Sequence, residues 1–218
     1  MSFVLIFQHA ERWGKHIVIT DTPGYFDTKK DNVFIEKQML ASIVATYPGF
    51  NAILFVIKAE RITKEVQMTI DLMMKSFGAN AAEFAYVVLT NIENEEEKNE
   101  YLSTPEPKLK QVIDSCRGKV LFIDNKADPK VVEKMAQNIV QAIAKESQSS
   151  HYKHECFTQV AQAMTNMGKD RAAIENFDQR KQMVESDSFL SALLGFVSKP
   201  FVAVLEAALS VVEYFFSK

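Results

Sequence analysis

Residues suited to binding a phosphoryl group and a divalent cation occur where a predicted strand ends. Asp21, Thr22 and Gly24 lie in the sequence Asp-Thr-Pro-Gly, directly after the apolar segment 16–20. A carboxylate at a strand end can hold Mg²⁺, usually through water. A glycine three residues later lets its backbone N–H approach a terminal phosphate, because no Cβ intervenes. We expect Asp21 to coordinate the metal ion, and we expect all three residues to contact the phosphoryl compound that binds with it.

Polar residues that fit the edge of a guanine base follow a later predicted strand, 84–90. Thr90, Asn91 and Glu93 stand at its end. A carboxylate three residues after Thr90 could accept hydrogen bonds from both N1–H and N2–H₂ of guanine, and an ionised acceptor strengthens such bonds. Most guanine readers use Asp at this point, so Glu93 is one methylene longer. We predict that these three residues bind the base.

A second polar loop follows the last predicted strand, 119–123. Asn125 is placed to support the base, and Lys126 could lie along it. In open α/β sheets, ligands bind at the carboxyl ends of the strands. The order of these motifs along the chain, each at a strand end, therefore predicts one binding edge shared by Asp21, Glu93 and Asn125.

Short apolar segments alternate with longer amphipathic ones up to about residue 147. The predicted strands are 16–20, 51–58, 84–90 and 119–123, and the predicted helices are 32–46, 64–77, 107–116 and 129–145. Alternation at this interval indicates βαβ units. The strand 51–58 is apolar on both faces, which is typical of a buried parallel strand. The sequence predicts an α/β fold with a mostly parallel sheet and helices on both faces.

Two regions, 93–107 and 157–184, are more polar than the predicted strands and helices of the βαβ units. We predict that the Glu-rich segment 93–107 is a loop, because two prolines end it. Residues 157–184 have the pattern of a polar helix with a thin apolar stripe, which indicates a coiled coil interrupted near Gly168.

The C-terminal segment 188–218 carries few charges. Lys199, Glu206 and Glu213 are spaced seven apart and so share one helix face, with Lys218 at the end. No uncharged run approaches the ~18 residues of a membrane span. Three alternatives stay open for this segment: packing on the domain or on a partner, contact with a membrane surface, and a true span.

Composition limits the classes of protein. The chain has 218 residues, 25 basic and 28 acidic, for a net charge of −3. This balance argues against a dedicated nucleic-acid binder, which normally carries a basic excess. Two cysteines form no disulfide framework, and the apolar run 3–7 is too short for a secretory signal. We expect a cytoplasmic protein, or one peripheral on an intracellular membrane.

Several of these motifs together resemble those of the immunity-associated (GIMAP-type, avirulence-induced-gene) GTPases. The similar segments are 21–28, 47–57, the Arg-x-Thr box at 61–65, Phe77-Gly78, 90–93 and 124–126. The resemblance covers roughly residues 14–147. It implies a P-loop GTPase-like fold with a helical extension that binds GTP or GDP with Mg²⁺. It also implies self-association through the nucleotide face and, for many members, membrane association.

Arg61 opens the box that is most specific to this family. An arginine finger acting in trans can offset the charge that develops during phosphoryl transfer. We name Arg61 as the candidate catalytic residue. The alternative is a surface arginine that caps a loop.

One motif of the family is missing from the sequence. The pattern Gly-x-x-x-x-Gly-Lys-Ser/Thr does not occur, since Gly14-Lys15 is followed by His16 and position 9 is a histidine. That loop supplies most backbone N–H donors to the phosphates. We therefore expect either an N-terminally incomplete GTPase or a relative that has lost its nucleotide chemistry.

The missing loop also affects the expected sheet. A parallel neighbour for 16–20 would need a crossover of about a dozen residues. Only residues 8–15 separate it from the apolar run 3–7. We predict that 3–7 pairs with 16–20 as an antiparallel hairpin and that the central position of the sheet stays vacant.

These observations lead to one main functional hypothesis. Residues 1–147 form a GTPase-like guanine-nucleotide-binding domain without its phosphate loop, and 148–218 form a helical extension. The alternative from another class is a nucleotide-free self-assembly or membrane-interaction module. A third reading is a truncated product without an independent fold.

Overall fold

A computed structural model describes residues 6–21, 32–58, 70, 74, 79–147 and 150–197. Contacts divide the chain into two compact units. We call residues 51–152 the sheet unit, and residues 1–50 together with 153–218 the hairpin–helix unit.

The described elements follow one another along the chain as strands and mostly short helices. The strands are β1 (Ile6–Arg12), β2 (Lys15–Asp21), β3 (Ile53–Lys58), β4 (Ala85–Thr90) and β5 (Val120–Ile123). The helices are α1 (Asn32–Thr46), α2 (Glu95–Ser103), α3 (Pro107–Ser115), α4 (Pro129–Ser147), α5 (Glu155–Asn166), α6 (Arg171–Glu175), α7 (Phe177–Glu185) and α8 (Asp187–Phe196), with a 3₁₀ turn at Ala79–Glu83.

The sheet unit contains a parallel three-stranded sheet in the order β3-β4-β5. The register places Lys58 beside Thr90 and Thr90 beside Ile123, so the carboxyl ends of all three strands lie at one edge. Helices flank this sheet, which confirms the predicted α/β fold. The predicted strands 51–58, 84–90 and 119–123 and the helices 107–116 and 129–145 are confirmed to within two residues at each end.

The core of the sheet unit lies between β3, β4 and the helix α3. Its buried members are Phe55, Ile57, Ile70, Ala85, Val87, Leu89, Ile92, Leu109, Val112 and Cys116. The other face of β3 differs, because Leu54 is 42% and Val56 65% exposed. The expectation that β3 is buried on both faces is therefore wrong. The apolar sequence of β3 is typical of a central strand, but among the described residues β3 is an edge strand.

The hairpin–helix unit begins with β1 and β2, which pair antiparallel from Ile6–Asp21 to Arg12–Lys15. Trp13 and Gly14 form the two-residue turn, with φ of 52° and 69°. Two positive φ angles define the turn type that matches the twist of paired strands, and glycine adopts the second at little cost. The predicted hairpin is confirmed, although its first strand runs from residue 6 to 12 instead of 3 to 7.

Helix α1 is the centre of the same unit. Its bounds, Asn32–Thr46, are those predicted. Leu40, Ala41 and Val44 are fully buried, and α1 packs against α5, α7 and α8. Lys37 of α1 forms an ion pair of 2.9 Å with Asp187 at the start of α8.

Residues 157–184 do not form one long helix. They belong to three short helices. The C-cap of α5 is Met167, α6 lies between its caps Asp170 and Asn176, and Asn176 is also the N-cap of α7. A coiled coil needs heptads sustained over three or four repeats. The predicted coiled coil is therefore wrong for this segment, because its apolar stripe packs inside the unit.

The segment 93–107 is helical over Glu95–Ser103, so the predicted loop is wrong there. The Asn94 side chain accepts a hydrogen bond from the Glu97 N–H, and the Glu97 carboxylate accepts one from the Glu93 N–H. This reciprocal cap and the acidic first turn stabilise the start of a helix despite its polar sequence.

Two other predictions fall wholly or partly outside the described residues. The helix 64–77 is described only at Ile70 and Met74, both of which are helical. Most of 188–218 lies beyond Val197, where the description ends. Among the described helices, none is long and apolar enough to cross a membrane.

Candidate functional site

The carboxyl-end edge of the sheet places two of the predicted loops side by side. Thr90 ends β4 and is the register partner of Ile123, which ends β5. The chain therefore leaves the two strands next to each other, with Glu93 following one and Asn125 the other. Parallel sheets bind ligands at this edge, since the loops there are free to vary while the strands hold them.

The first loop is held in place by a side-chain hydrogen bond, a left-handed backbone conformation and a buried side chain. Thr90 is half-buried, and its hydroxyl lies 3.5 Å from the Ile57 carbonyl oxygen on β3. Asn91 has φ of +62°, a left-handed conformation that asparagine tolerates better than most residues. Ile92 then enters the core. This turn directs the chain so that Glu93 is exposed just before α2.

The backbone at Glu93 is fixed by the cap of α2. Its N–H donates to the Glu97 carboxylate at 2.6 Å, while Asn94 Oδ1 accepts from the Glu97 N–H at 2.9 Å. The Glu93 side chain is exposed, so its carboxylate is available to accept hydrogen bonds from a ligand. A fixed backbone with an exposed acceptor is what recognition of a planar donor pair requires.

The second loop is organised by Asp124, a residue that sequence reasoning did not select. Its side chain is buried, and Oδ1 accepts a hydrogen bond from the Lys126 N–H at 2.9 Å. Its own N–H donates to Met135 Sδ of α4. This Asx turn leaves the side chains of Asn125 and Lys126 exposed. The sequence signal was available, because Asp at the start of a loop is typical of such a turn.

The remaining predicted site residues are not among the described residues of this sheet edge. Asp21 is exposed at the end of β2, in the hairpin–helix unit. Thr22, Gly24 and Arg61 lie outside the described residues. The structure therefore brings together Thr90, Asn91, Glu93, Asn125 and Lys126, all of them in the sheet unit.

Metal and thiol chemistry find no support among the described residues. They contain no group of three or more His, Cys, Asp or Glu side chains placed to hold a metal ion. Both cysteines, Cys116 and Cys156, are buried, and burial raises the pKa of each thiol to about 12. A protonated, buried thiol is neither a nucleophile nor a metal ligand.

A cavity of about 310 Å³ opens between α2 and α3, away from these loops. Gly118 and Val120 line it, so it lies near the amino end of β5, at the opposite edge of the sheet. Two of its lysines are already paired: Lys98 with Glu95 at 2.5 Å and Lys110 with Asp114 at 2.8 Å. It is separate from the candidate site.

Comparison with known proteins adds an independent observation. The model of the AIG1 family matches residues 6–171. Immune-associated nucleotide-binding protein 9 of Arabidopsis thaliana is 28% identical over 172 residues, which are 74% of this chain and 50% of that protein. Proteins 13 and 4 of the same name and organism are 26% and 24% identical, over 64% and 79% of this chain and 44% and 56% of their own. The chain thus spans about half the length of these curated relatives.

Proposed function

Because this chain belongs to the AIG1 family, we propose that its sheet edge is the base-reading part of a guanine-nucleotide site that binds GTP and GDP. The observation that carries the proposal is that Glu93 and Asn125 project from neighbouring loops at the carboxyl ends of β4 and β5. The names of the relatives support it in part, because they describe nucleotide-binding proteins.

The expected chemistry at this edge is recognition of the base. The exposed Glu93 carboxylate accepts hydrogen bonds from N1–H and N2–H₂ of guanine, whereas adenine offers no such donor pair. Asn125 supports the base from the second loop, and the Lys126 stem covers one of its faces. A site of buried or fixed acceptors rejects a ligand without the matching donors, since those acceptors then lose water without gaining a partner.

The phosphate end is expected to contribute less than the base end. The sequence lacks the Gly-rich loop that donates backbone hydrogen bonds to the phosphates. Each charge-assisted hydrogen bond contributes about 1.5–3 kcal/mol. We therefore propose weak binding, an affinity that depends little on the number of phosphates, and slow hydrolysis or none.

The experiment is a titration of the protein with fluorescent GTP in the presence of Mg²⁺, with unlabelled GTP, GDP and ATP as competitors. Glu93→Gln removes the charge and one acceptor, and we expect it to weaken GTP binding about tenfold or more. Glu96→Gln is the matched control, because Glu96 is an exposed glutamate in the same helix start. Equal affinity for ATP, or binding unaffected by Glu93→Gln, would overturn the proposal.

The remaining roles are proposed on the resemblance of the sequence alone. Asp21 would hold Mg²⁺, with Thr22 and Gly24 near the γ-phosphate, and Arg61 would act in trans when two nucleotide faces associate. If Asp21 is the ligand, Asp21→Asn weakens Mg²⁺-dependent GTP binding and leaves Mg²⁺-independent binding unchanged. Residues 188–218 would contact a membrane surface from the cytoplasmic side. Deleting them should then abolish sedimentation with anionic liposomes.

A second candidate function follows from the missing loop motif. Without it, the family scaffold would serve as a nucleotide-free module for self-assembly or membrane contact. The same titration separates the two, since no saturable GTP binding at submillimolar concentrations would favour the module.

A further inference from the structure

One residue of α2 forms a hydrogen bond to the backbone of the proposed base reader. Glu97 is the third residue of α2, and its carboxylate accepts a hydrogen bond from the Glu93 N–H at 2.6 Å. The Glu97 N–H donates to Asn94 Oδ1 at 2.9 Å. Glu97 therefore contacts the helix cap through its backbone and the base reader through its side chain.

This arrangement differs from an ordinary capping box. In that motif, the acidic side chain at the third helical position accepts a hydrogen bond from the N–H of the cap residue. Here the cap residue is Asn94, and the Glu97 carboxylate accepts from the residue before it. A bond to the cap residue would stabilise the helix alone. Moved by one residue, the bond holds the peptide unit from which the Glu93 side chain projects.

The chain around Glu93 is anchored to the core at two points that lie well apart. Ile92, directly before it, is buried in the core cluster. The side chains of α2 that pack against this cluster, Tyr101 and Leu102, belong to the last turn of the helix. Between these anchors, the first turn of α2 has no buried side chain. The two hydrogen bonds of Glu97 therefore restrain the segment in which the base reader lies.

Recognition of guanine depends on this restraint, because two hydrogen bonds must form at once. A carboxylate accepts from both N1–H and N2–H₂ only when its two oxygens lie near the plane of the base. A side chain on a restrained backbone reaches both donors with less loss of conformational freedom than one on a mobile backbone. We infer that Glu97 is a positioning residue that sets the preference for guanine by holding the Glu93 N–H, an inference that rests on the proposed function.

A purely structural role of Glu97 in α2 can be separated from this positioning role. In Glu97→Ala the backbone N–H still donates to Asn94 Oδ1, so the variant keeps the cap and loses only the bond to Glu93. Glu97→Gln removes the charge but keeps a side-chain oxygen that accepts the same bond. Glu96→Ala is the matched control, because Glu96 is an exposed glutamate of the same helical turn.

The experiment measures the affinities of GTP and inosine triphosphate in the presence of Mg²⁺, by competition with fluorescent GTP. Inosine triphosphate keeps N1–H but lacks the 2-amino group, so the ratio of the two dissociation constants reports the second hydrogen bond to Glu93. We expect the unchanged chain, Glu97→Gln and Glu96→Ala to prefer GTP about tenfold, and Glu97→Ala less than about threefold. Lower stability of α2 alone would weaken both nucleotides alike and leave this ratio unchanged.

Hydrogen exchange of the Glu93 amide gives a second readout that needs no nucleotide. Because this N–H is hydrogen-bonded, it should exchange slowly in the unchanged chain, in Glu97→Gln and in Glu96→Ala. In Glu97→Ala it should exchange several times faster. Equal exchange in Glu97→Ala and the unchanged chain would overturn the inference.

The two proposals fail in different ways. If the chain prefers GTP to ATP and Glu93→Gln weakens GTP binding, but Glu97→Ala keeps the full preference over inosine triphosphate, the positioning role alone is wrong. If the unchanged chain does not distinguish GTP from ATP, the proposed function is wrong, and the positioning role falls with it.

Discussion

Asn91 is the residue on which the first loop of the candidate site turns. Its φ of +62° is costly for a residue with a Cβ, by about 1–2 kcal/mol, and asparagine lowers that cost through local hydrogen bonds. We expect Asn91→Ala to lower the free energy of unfolding by about 1 kcal/mol. Asn91→Gly should leave it unchanged or raise it slightly, because glycine adopts positive φ freely. Urea denaturation of the two variants tests this, and equal losses would contradict it.

Cys116 makes the stability of the sheet unit depend on pH in the alkaline range. The thiol is fully buried, and burial raises its pKa to about 12, although the charge of Lys119 acts in the opposite direction. An unfolded thiol has a pKa of about 8.5. The folded state therefore holds its proton longer, and the stabilisation this gives is complete below about pH 8 and is lost as the pH rises toward 12.

The expected result is a steeper alkaline loss of stability in the unchanged chain than in Cys116→Ala. All other side chains are the same in both proteins, so the difference between their unfolding free energies isolates Cys116. Urea denaturation between about pH 7 and pH 10 measures it. A difference that stays constant over this range would mean that the thiol ionises equally in both states. Cys116→Ala also creates a cavity, but that cost does not change with pH.

Among the elements, α2 depends on its cap more than on burial. None of its side chains is buried, and its sequence is strongly acidic. Asn94 Oδ1 accepts from the Glu97 N–H at 2.9 Å, so Asn94→Ala should cost about 1 kcal/mol of stability. Asn99→Ala changes an exposed asparagine inside the same helix and should be neutral or slightly stabilising. If both substitutions had the same effect, the cap would not be what holds the helix.

The elements also show what the sequence could and could not predict. The bounds of α3 and α4 follow from helical periodicity, and the strands of the parallel sheet follow from β-branched runs, because burial selects those patterns. Helix α2 was missed because its stability comes from a cap and a charged first turn. The exposed face of β3 was missed for another reason. An apolar run does not disclose whether a neighbour covers it, and that depends on other parts of the chain.

At the candidate site, sequence order predicted that Glu93 and Asn125 follow neighbouring strands, but it also assigned Asp21 to the same edge, and β2 is not a strand of the three-stranded sheet. Glu93, Asn125 and Lys126 follow from their places after strands, since parallel strands end at one edge. Asp124 was passed over, because its role is to accept the Lys126 N–H and to support the exposed neighbours. Such supporting residues have no side chain directed at a ligand, so ligand chemistry alone does not single them out.

At the scale of the whole molecule, segments that are far apart in the sequence belong to the same compact unit. Residues 1–50 precede the sheet but belong with 153–218, because α1 buries Leu40 and Val44 against helices from the C-terminal part. A reading along the chain groups neighbours in sequence, so it predicted residues 1–147 as one domain. The family match, 6–171, also crosses the limits of the two units.

The sheet unit should fold as a fragment of residues 51–152. All residues of its described core cluster, from Phe55 to Cys116, lie within these limits, so cutting the chain there removes none of them. We expect a cooperative urea transition and dispersed amide resonances. Leu109→Ala in the fragment should lower its stability by about 2–5 kcal/mol, since Leu109 is fully buried. A broad transition that Leu109→Ala does not shift would show that the sheet needs residues from the rest of the chain.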